Sequence, residues 1–137
     1  MKLAALVLLA PLVFADSSTD AWDVVATMAA ALAEPNDAAF MKPISKSFEQ
    51  HDLVGRQVRA LLQTNEVVSS VSPLVNEGDD KQRMLEVDWY IEIQPRAPGA
   101  PVTQRREPIK LTMAKTGKRW MITSFAPIEF FSPPATN

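Results

Sequence analysis

RMLEVDWYIEIQ, residues 83–94, alternates apolar and polar side chains almost without a break. Successive side chains of a β-strand point to opposite faces of the sheet, so this period of two predicts a long strand that is buried on one face. The predicted buried face carries Leu85, Val87, Trp89, Ile91 and Ile93. The opposite face carries Met84, Glu86, Asp88, Tyr90 and Glu92. We expect the tryptophan face to pack against helices, because only that alternation buries five large apolar side chains on one side.

The segments around this strand complete a four-stranded antiparallel meander. The predicted strands are 66–75, 83–94, 102–115 and 118–125, joined by a turn at 76–80, a proline-rich loop at 95–101 and a tight turn at Thr116-Gly117. Alternation in the last strand places Trp120 and Ile122 on one face, and on the other Met121, Thr123 and Phe125. Pro108 has no backbone N–H, so the third strand is expected to be bulged or unpaired there.

The residues before the first strand follow a helical period. Apolar side chains recur at spacings of three and four in two segments, Trp22, Val25, Met28, Ala29 and Leu32, and then Phe48, Val54, Val58, Leu61 and Leu62. Thr19 or Asp20 is suited to cap the first helix, and Ser47–Gln50 has the S-x-x-Q capping-box pattern for the other. Between them, Pro35 and Pro43 leave room for a single helical turn. The apolar tail 127–131 is expected to pack down on the sheet.

Composition excludes several classes of function. The chain has 137 residues, of which 47% are hydrophobic and 22% charged, and a net charge of -2, as expected for one globular domain. It contains no cysteine and a single histidine, His51, which excludes disulfides, zinc fingers, iron–sulfur clusters and thiol nucleophiles. We therefore expect no metal and no cofactor. The acidic balance argues against nucleic-acid binding.

Residues 1–15 have the three parts of a secretory signal peptide. Lys2 supplies the positive start, residues 3–14 are an apolar run, and Val13-Phe14-Ala15 offers small or β-branched side chains to a signal peptidase. The apolar run is shorter than the roughly 20 residues that a permanent membrane anchor needs. We expect export to the periplasm or the extracellular space after cleavage near Ala15, which leaves residues 16–137 as a single domain without a membrane anchor.

Helices followed by a meander with an inward tryptophan are typical of an α+β fold. Several segments are also distinctive, namely Glu77–Asp80, Leu85–Tyr90, Arg105-Arg106, Arg119-Trp120 and Phe125–Phe131. In these features the chain resembles the nuclear transport factor 2-like superfamily, and within it a group of small secreted bacterial domains. That superfamily includes ketosteroid isomerase, scytalone dehydratase and SnoaL-like proteins. The resemblance covers residues 20–131 and implies N-terminal helices packed on a curved antiparallel sheet, a cystatin-like cone with a pocket between the two.

The resemblance also implies an enzymatic alternative, because ketosteroid isomerase-like members use a carboxylate and a phenol inside an apolar cavity. Asp88 and Tyr90 come nearest to such a pair, but the alternation that sends Trp89 inward points both of them away from the cavity. His51 precedes Asp52 on a helix, where neighbouring side chains diverge by about 100°, so we interpret the histidine as structural. We therefore predict no catalytic residue, and an isomerase or dehydratase with a site inside the cone is the alternative.

Two further groups of side chains are candidates for binding. Arg105 and Arg106 begin a basic region that continues through Lys110, Lys115, Lys118 and Arg119. This region could hold an anion, but the acids of the neighbouring strand, Glu86, Asp88 and Glu92, favour cross-strand pairing instead. The tryptophans Trp22, Trp89 and Trp120 are candidates to line a ligand pocket, with the ordinary core as the alternative.

The outward face of the sheet is predicted to be an interface. Tyr90, Met121 and Phe125 would form an apolar centre with charged edges, which is the composition of a subunit contact. We expect a homodimer across this face, with coverage by the loop 95–101 as the alternative. Taken together, the sequence predicts an exported, non-catalytic domain that binds a small molecule or a protein partner.

Overall fold

The computed structural model describes the backbone of residues 2–135 and the side chains of residues 17–135. Within these residues, helices come first and strands second. The elements are α1 Lys2–Ala33, α2 Asp37–Met41, α3 His51–Thr64, β1 Asn65–Gly78, β2 Gln82–Pro95, β3 Thr103–Thr116, β4 Arg119–Ala126 and a 3-10 turn at Ile128–Phe131. The cleavage site predicted after Ala15 lies outside the described side chains.

The strands form one antiparallel sheet in the order β1-β2-β3-β4, which confirms the predicted meander and the α+β class. β2 and β3 pair in a continuous register from Gln82 opposite Ala114 to Ile93 opposite Thr103. Of the two alternatives predicted at Pro108, the bulge is wrong, since this proline lies in register with Asp88, while on the β4 side it is unpaired. Pairing between β3 and β4 begins only at Lys110, so β3 has a single strand neighbour at Pro108.

The tryptophan face of β2 forms the centre of the core, as the alternation predicts. Its members Leu85, Val87, Trp89, Ile91 and Ile93 have no exposed surface. The same core includes Val25 and Leu32 of α1 and Val58 of α3, which confirms the predicted helix faces except at Phe48, which lies before α3. Burial of side chains of this size contributes roughly 1.5–3 kcal/mol each, so this layer supplies much of the favourable free energy of folding.

The C-terminal turn Ile128–Phe131 fills the space between the helices and the sheet. The ring of Phe131 is buried, with its centroid 4.9 Å from that of Trp89, 5.1 Å from that of Phe40 and 5.1 Å from that of Phe130. The contacts with Trp89 and Phe130 are edge-on, a favourable arrangement of aromatic rings. The prediction that this tail packs down is confirmed, and we call Ile128–Phe131 the C-terminal plug.

A bulge in β4 changes which of its side chains face the core. Thr112 pairs with Ser124 and Met113 pairs with Ile122, so Thr123 is the extra residue on β4. Ile122 and Phe125 consequently both point inward although they are three residues apart, and Phe125 is only 4% exposed. The predicted outward position of Phe125 is therefore wrong, because a period of two does not continue through a bulge.

Both predicted helix caps are wrong. α1 passes through Thr19 and Asp20 as continuous helix. α3 begins at His51, and the residue before it makes no side-chain capping bond. The hydroxyl of Ser47 lies 2.7 Å from that of Ser45 instead, because a local turn competes successfully with the capping box.

α2 is the single turn predicted between the two prolines, and the segment after it joins the sheet. The N–H of Ile122 donates to the carbonyl of Pro43, and the N–H of Ser45 donates to the carbonyl of Ile122, both at 2.8 Å. These bonds form a parallel bridge between Ile44 and Ile122. The end of α2 is thereby fastened to the outer edge of β4.

Candidate functional site

The inside of the cone is occupied by the protein's own side chains. Trp89 lies among the rings of Phe40 and Phe131, and its indole N–H donates to the hydroxyl of Ser69 at 2.9 Å. The largest side chain of the interior is thus both packed and hydrogen-bonded. Asn65 is the buried polar residue of the described chain, and its amide donates to the carbonyl of Leu61 at 2.9 Å.

Arg105 holds the C-terminal plug in place. Its Nη1 donates to the carbonyl of Phe130 at 2.8 Å and to that of Ser132 at 2.6 Å. Burial lowers the pKa of the Arg105 guanidinium, and the neighbouring Glu107 opposes that shift. A residue predicted to belong to a basic surface therefore serves as a clamp on the backbone that closes the cone.

An open groove of about 580 Å³ lies outside the cone, between α1, the end of α2 and the start of β4. Ligand pockets of proteins commonly measure about 300–1,000 Å³, so a small molecule or a short peptide fits this space. The groove has two charged walls and an apolar floor.

The first wall is one face of α1. Asp20, Asp23 and Thr27 line it, and they share a face because side chains three, four and seven residues apart are neighbours on a helix. All three are exposed. This wall therefore presents two carboxylates and a hydroxyl to whatever enters the groove.

The opposite wall is basic. Lys118 and Arg119 line it from the hairpin between β3 and β4, and Lys42 lines it from the end of α2. Gly117 precedes them with φ +62, the left-handed conformation that the first loop position of a two-residue type II′ hairpin requires. The tight turn thus sets Lys118 and Arg119 beside the groove.

The floor between the walls is apolar, formed by Val24, Ala39, Pro43, Trp120 and Met121. Trp120 is 4% exposed, and the ammonium of Lys115 lies 6.0 Å from the centroid of its ring. The indole N–H of Trp120 has no hydrogen-bond partner among the described residues. An unpaired buried donor costs about 1–3 kcal/mol, so this tryptophan differs from Trp89, whose donor is paired.

The charges that line the groove form no ion pairs within the described part of the chain. The ion pairs there join His51 to Asp52, Arg59 to Asp37 and Arg106 to Asp88. No acidic side chain of the groove therefore lies within ion-pair distance of a basic one among the described residues. Both walls remain available to a bound molecule.

The three tryptophans considered as a pocket do not meet in one cavity. Trp120 lines the groove, Trp89 is enclosed in the core, and Trp22 is half-buried against the core. The sequence did not indicate the groove, because only folding brings the start of β4 beside α1 and the end of α2. The sequence signal for the groove was the spacing of Asp20, Asp23 and Thr27, which places them on one polar face of α1.

Asp88 and Tyr90 lie on the outward face of the sheet, as predicted. Asp88 forms an ion pair with Arg106 at 3.1 Å, which confirms cross-strand pairing for that arginine. Burial raises the pKa of Tyr90, assisted by a 3.2 Å hydrogen bond from its hydroxyl to Glu92. Neither side chain faces an apolar cavity, so the pair lacks the setting that isomerase chemistry needs.

His51 and Asp52 are not divergent as expected. The Nδ1 of His51 lies 3.0 Å from a carboxylate oxygen of Asp52, and this hydrogen bond lowers the pKa of Asp52. The contact is at the first turn of α3. No cluster of three or more metal-ligating side chains occurs among the described residues.

The residues predicted as an interface are divided between two environments. Tyr90 and Met121 are half-buried on the outward face but lie apart on it, since Tyr90 pairs with Arg106 and Met121 pairs with Ala114 at the other end of β3. Phe125 is in the core, where its ring lies 5.6 Å from that of Phe48.

None of the described helices has the length and the apolar character that a membrane span requires.

Comparisons with known proteins identify the fold. No protein-family model matches the sequence, and no curated protein matches it. A nuclear transport factor 2-like superfamily protein from Salmonella enterica superposes with a TM-score of 0.66 at 10% identity, over 90% of this chain and 95% of that one. A protein from Planctomyces limnophilus gives a TM-score of 0.66 at 10% identity, over 78% and 91% of the two chains. This chain therefore has the nuclear transport factor 2-like fold.

Proposed function

We propose that this chain is an exported, non-catalytic domain that binds a small molecule, or the end of a partner protein, in the groove between α1 and β4. The observation that carries the proposal is the contrast between the groove and the cone. The groove has an apolar floor between charged walls that lack ion-pair partners among the described residues, whereas the interior of the cone is filled by Phe131. A ligand in the groove can form ion pairs and hydrogen bonds with side chains that have no ion-pair partner in the described chain.

A competing proposal is an isomerase or dehydratase with its site inside the cone. Such chemistry needs an acid held in an apolar cavity. Among the described residues no carboxylate is buried, and the buried polar side chain is the amide of Asn65. The arrangement of the interior therefore favours the binding proposal.

Export rests on residues 1–15, with their positive start, apolar run and Val13-Phe14-Ala15 end. The mature protein recovered from its source should begin at Asp16. N-terminal sequencing of the recovered protein tests this, and retention of Met1 in periplasmic or extracellular material would contradict it.

The groove is tested by filling it. Thr27→Trp places a large ring in the groove from an exposed position, and Ala30→Trp adds the same ring to an exposed position of α1 that does not line it. A small-molecule extract of the source cells is incubated with each protein, and native mass spectrometry records retained mass. The wild type and Ala30→Trp should retain a ligand that Thr27→Trp loses. Equal retention by all three would place binding elsewhere.

A homodimer across the outward sheet face is a second proposal, supported by a separate observation. Val68 is 56% exposed and pairs with Glu92, which places it diagonally beside Tyr90 on the outward face. Exposed apolar side chains among charged ones are typical of subunit contacts. Light scattering after size exclusion should give twice the monomer mass for the wild type, and Val68→Lys with Tyr90→Lys should give a folded monomer. A monomeric wild type at high concentration would remove the dimer from consideration.

A further inference from the structure

The two walls of the groove carry opposite charge, and this polarity specifies the kind of molecule that it accepts. Asp20 and Asp23 stand on the α1 wall, while Lys42, Lys118 and Arg119 stand on the opposite wall. A simple anion placed between them is attracted by one wall and repelled by the other, and the same holds for a simple cation. A molecule with a positive and a negative end gains from both walls when it lies across the groove.

We infer that the groove binds a zwitterion with an apolar body, namely an α-amino acid or a short peptide with free termini. The inference rests on the proposed function and names the ligand chemistry of that site. The ammonium group lies toward Asp20 and Asp23, and the carboxylate lies toward Lys118 and Arg119. The bond between a guanidinium and a carboxylate is charge-assisted and suits the fork of Arg119.

The floor of the groove selects the body of the ligand. Val24, Pro43 and Met121 are half-buried apolar side chains, and the ring of Trp120 lies beside them. Contact between an aliphatic side chain of the ligand and this floor removes apolar surface of both from water, which favours binding. The volume of about 580 Å³ accommodates more than one residue, which favours a dipeptide or tripeptide over a single amino acid.

The polar groups that would hold the ligand have no competing partners in the described structure. Asp20, Asp23 and Lys118 take part in none of the ion pairs of the described chain. These side chains can therefore bind a ligand without breaking an existing ion pair, and only water has to be removed from them. The indole N–H of Trp120 is itself covered by protein, so no contact with the ligand is assigned to it.

The test uses the full chain and a series of leucine compounds. Leucine, Leu-Leu and Leu-Leu-Leu are titrated while the indole N–H signal of Trp120 is followed by NMR. N-acetyl-Leu-Leu and Leu-Leu-amide each lack one terminal charge, and each should bind at least about tenfold more weakly than Leu-Leu. Equal affinities for blocked and free peptides would overturn the inference, as would failure of all three free compounds to bind at about 10 mM.

Variants of the two walls then assign the orientation. Asp20→Asn with Asp23→Asn should remove the preference for a free amine and keep the preference for a free carboxylate. Lys118→Gln with Arg119→Gln should do the reverse. Glu34→Gln and Lys110→Gln are exposed control changes outside the groove and should leave both preferences intact. The opposite pattern of preferences in the wall variants would refute the assigned orientation.

Failure of this inference is distinguishable from failure of the proposed function. If Thr27→Trp abolishes retention of a native ligand while free and blocked peptides bind alike, the groove is a binding site for some other chemistry. If Thr27→Trp alters neither native-ligand retention nor peptide binding, the groove itself is not the site.

Discussion

The inside of the cone and the groove on its flank are both built from the helices and the sheet, yet they differ in whether their side chains have partners. In the cone, Trp89 is packed against Phe131 and hydrogen-bonded to Ser69. In the groove, Asp23 and Lys118 form no ion pair within the described chain, and the N–H of Trp120 is unpaired. The first region therefore stabilises the fold, and the second leaves polar groups without partners in the described chain.

This difference bears on how a site is located within a fold. A cavity between helices and sheet is the expected ligand site of a cone, but here the C-terminal plug fills it and Arg105 clamps the plug. The fold supplies a frame, and the side chains decide which concave surface stays open. Substitutions in the two regions should separate stability from binding.

The largest effect is expected at Trp89. Trp89→Ala removes a fully buried ring and leaves the hydroxyl of Ser69 without its donor. The free energy of unfolding should fall by about 3–5 kcal/mol. Denaturant unfolding followed by circular dichroism measures this change, and an unaltered midpoint would mean that the interior is not the stabilising region.

Phe131→Ala should show that the plug occupies a latent cavity. Removal of the ring takes away its contacts with Trp89 and Phe40, and should cost about 3 kcal/mol. A dry apolar cavity can bind benzene, so benzene should raise the melting temperature of this variant and leave that of the wild type unchanged. Phe131→Leu serves as a control that retains most of the volume. If benzene does not change the melting temperature of Phe131→Ala, the space left by the ring has collapsed and the prediction of a latent cavity is wrong.

Arg105 and Arg106 are adjacent in sequence and offer a matched pair. Arg105→Met keeps the apolar stem but removes the hydrogen bonds to the carbonyls of Phe130 in the plug and of Ser132 just after it, and should lower the free energy of unfolding by about 2 kcal/mol. Arg106→Met removes an ion pair in which the arginine side chain is 67% exposed, and should cost about 0–1 kcal/mol. Equal costs for the two variants would argue against the clamp.

The smallest change in stability is expected in the groove. Asp23→Asn and Lys118→Gln alter exposed side chains without ion pairs in the described chain, and each should change the free energy of unfolding by less than about 0.5 kcal/mol. Thermal unfolding tests this directly. A large loss in either variant would mean that the walls contribute to the fold, and the contrast between the two regions would no longer hold.

The sequence predicts the interior better than the flank. The alternation in residues 83–94 is sufficient to identify the buried face of β2, because a strand with one apolar face has a single register that buries it. Phe125 is misplaced by the same reasoning, since the bulge at Thr123 arises from pairing with β3 and not from β4 alone. The buried residues Trp120, Ile122 and Phe125 are spaced by two and then by three, and the spacing of three is the sign of the bulge in the sequence.

The groove could not be predicted, because no segment contains it. Its acids come from α1 and its bases from the end of α2 and the β3–β4 hairpin, and only the packed fold brings them together. The segment Ser47–Gln50 illustrates the opposite problem. Its local pattern is a good capping box, but the chain uses a turn there to set Phe48 against Phe125.

The bridge between Ile44 and Ile122 also limits how this sheet can associate. A sheet edge with free N–H and carbonyl groups is a template for strand addition and fibril growth. At β4 the backbone groups of Ile122 already bond to Pro43 and Ser45. At β1, on the opposite edge, Pro73 has no N–H to offer and the register shifts beside it. Addition of a strand from another molecule is thus obstructed at Ile122 of β4 and at Pro73 of β1.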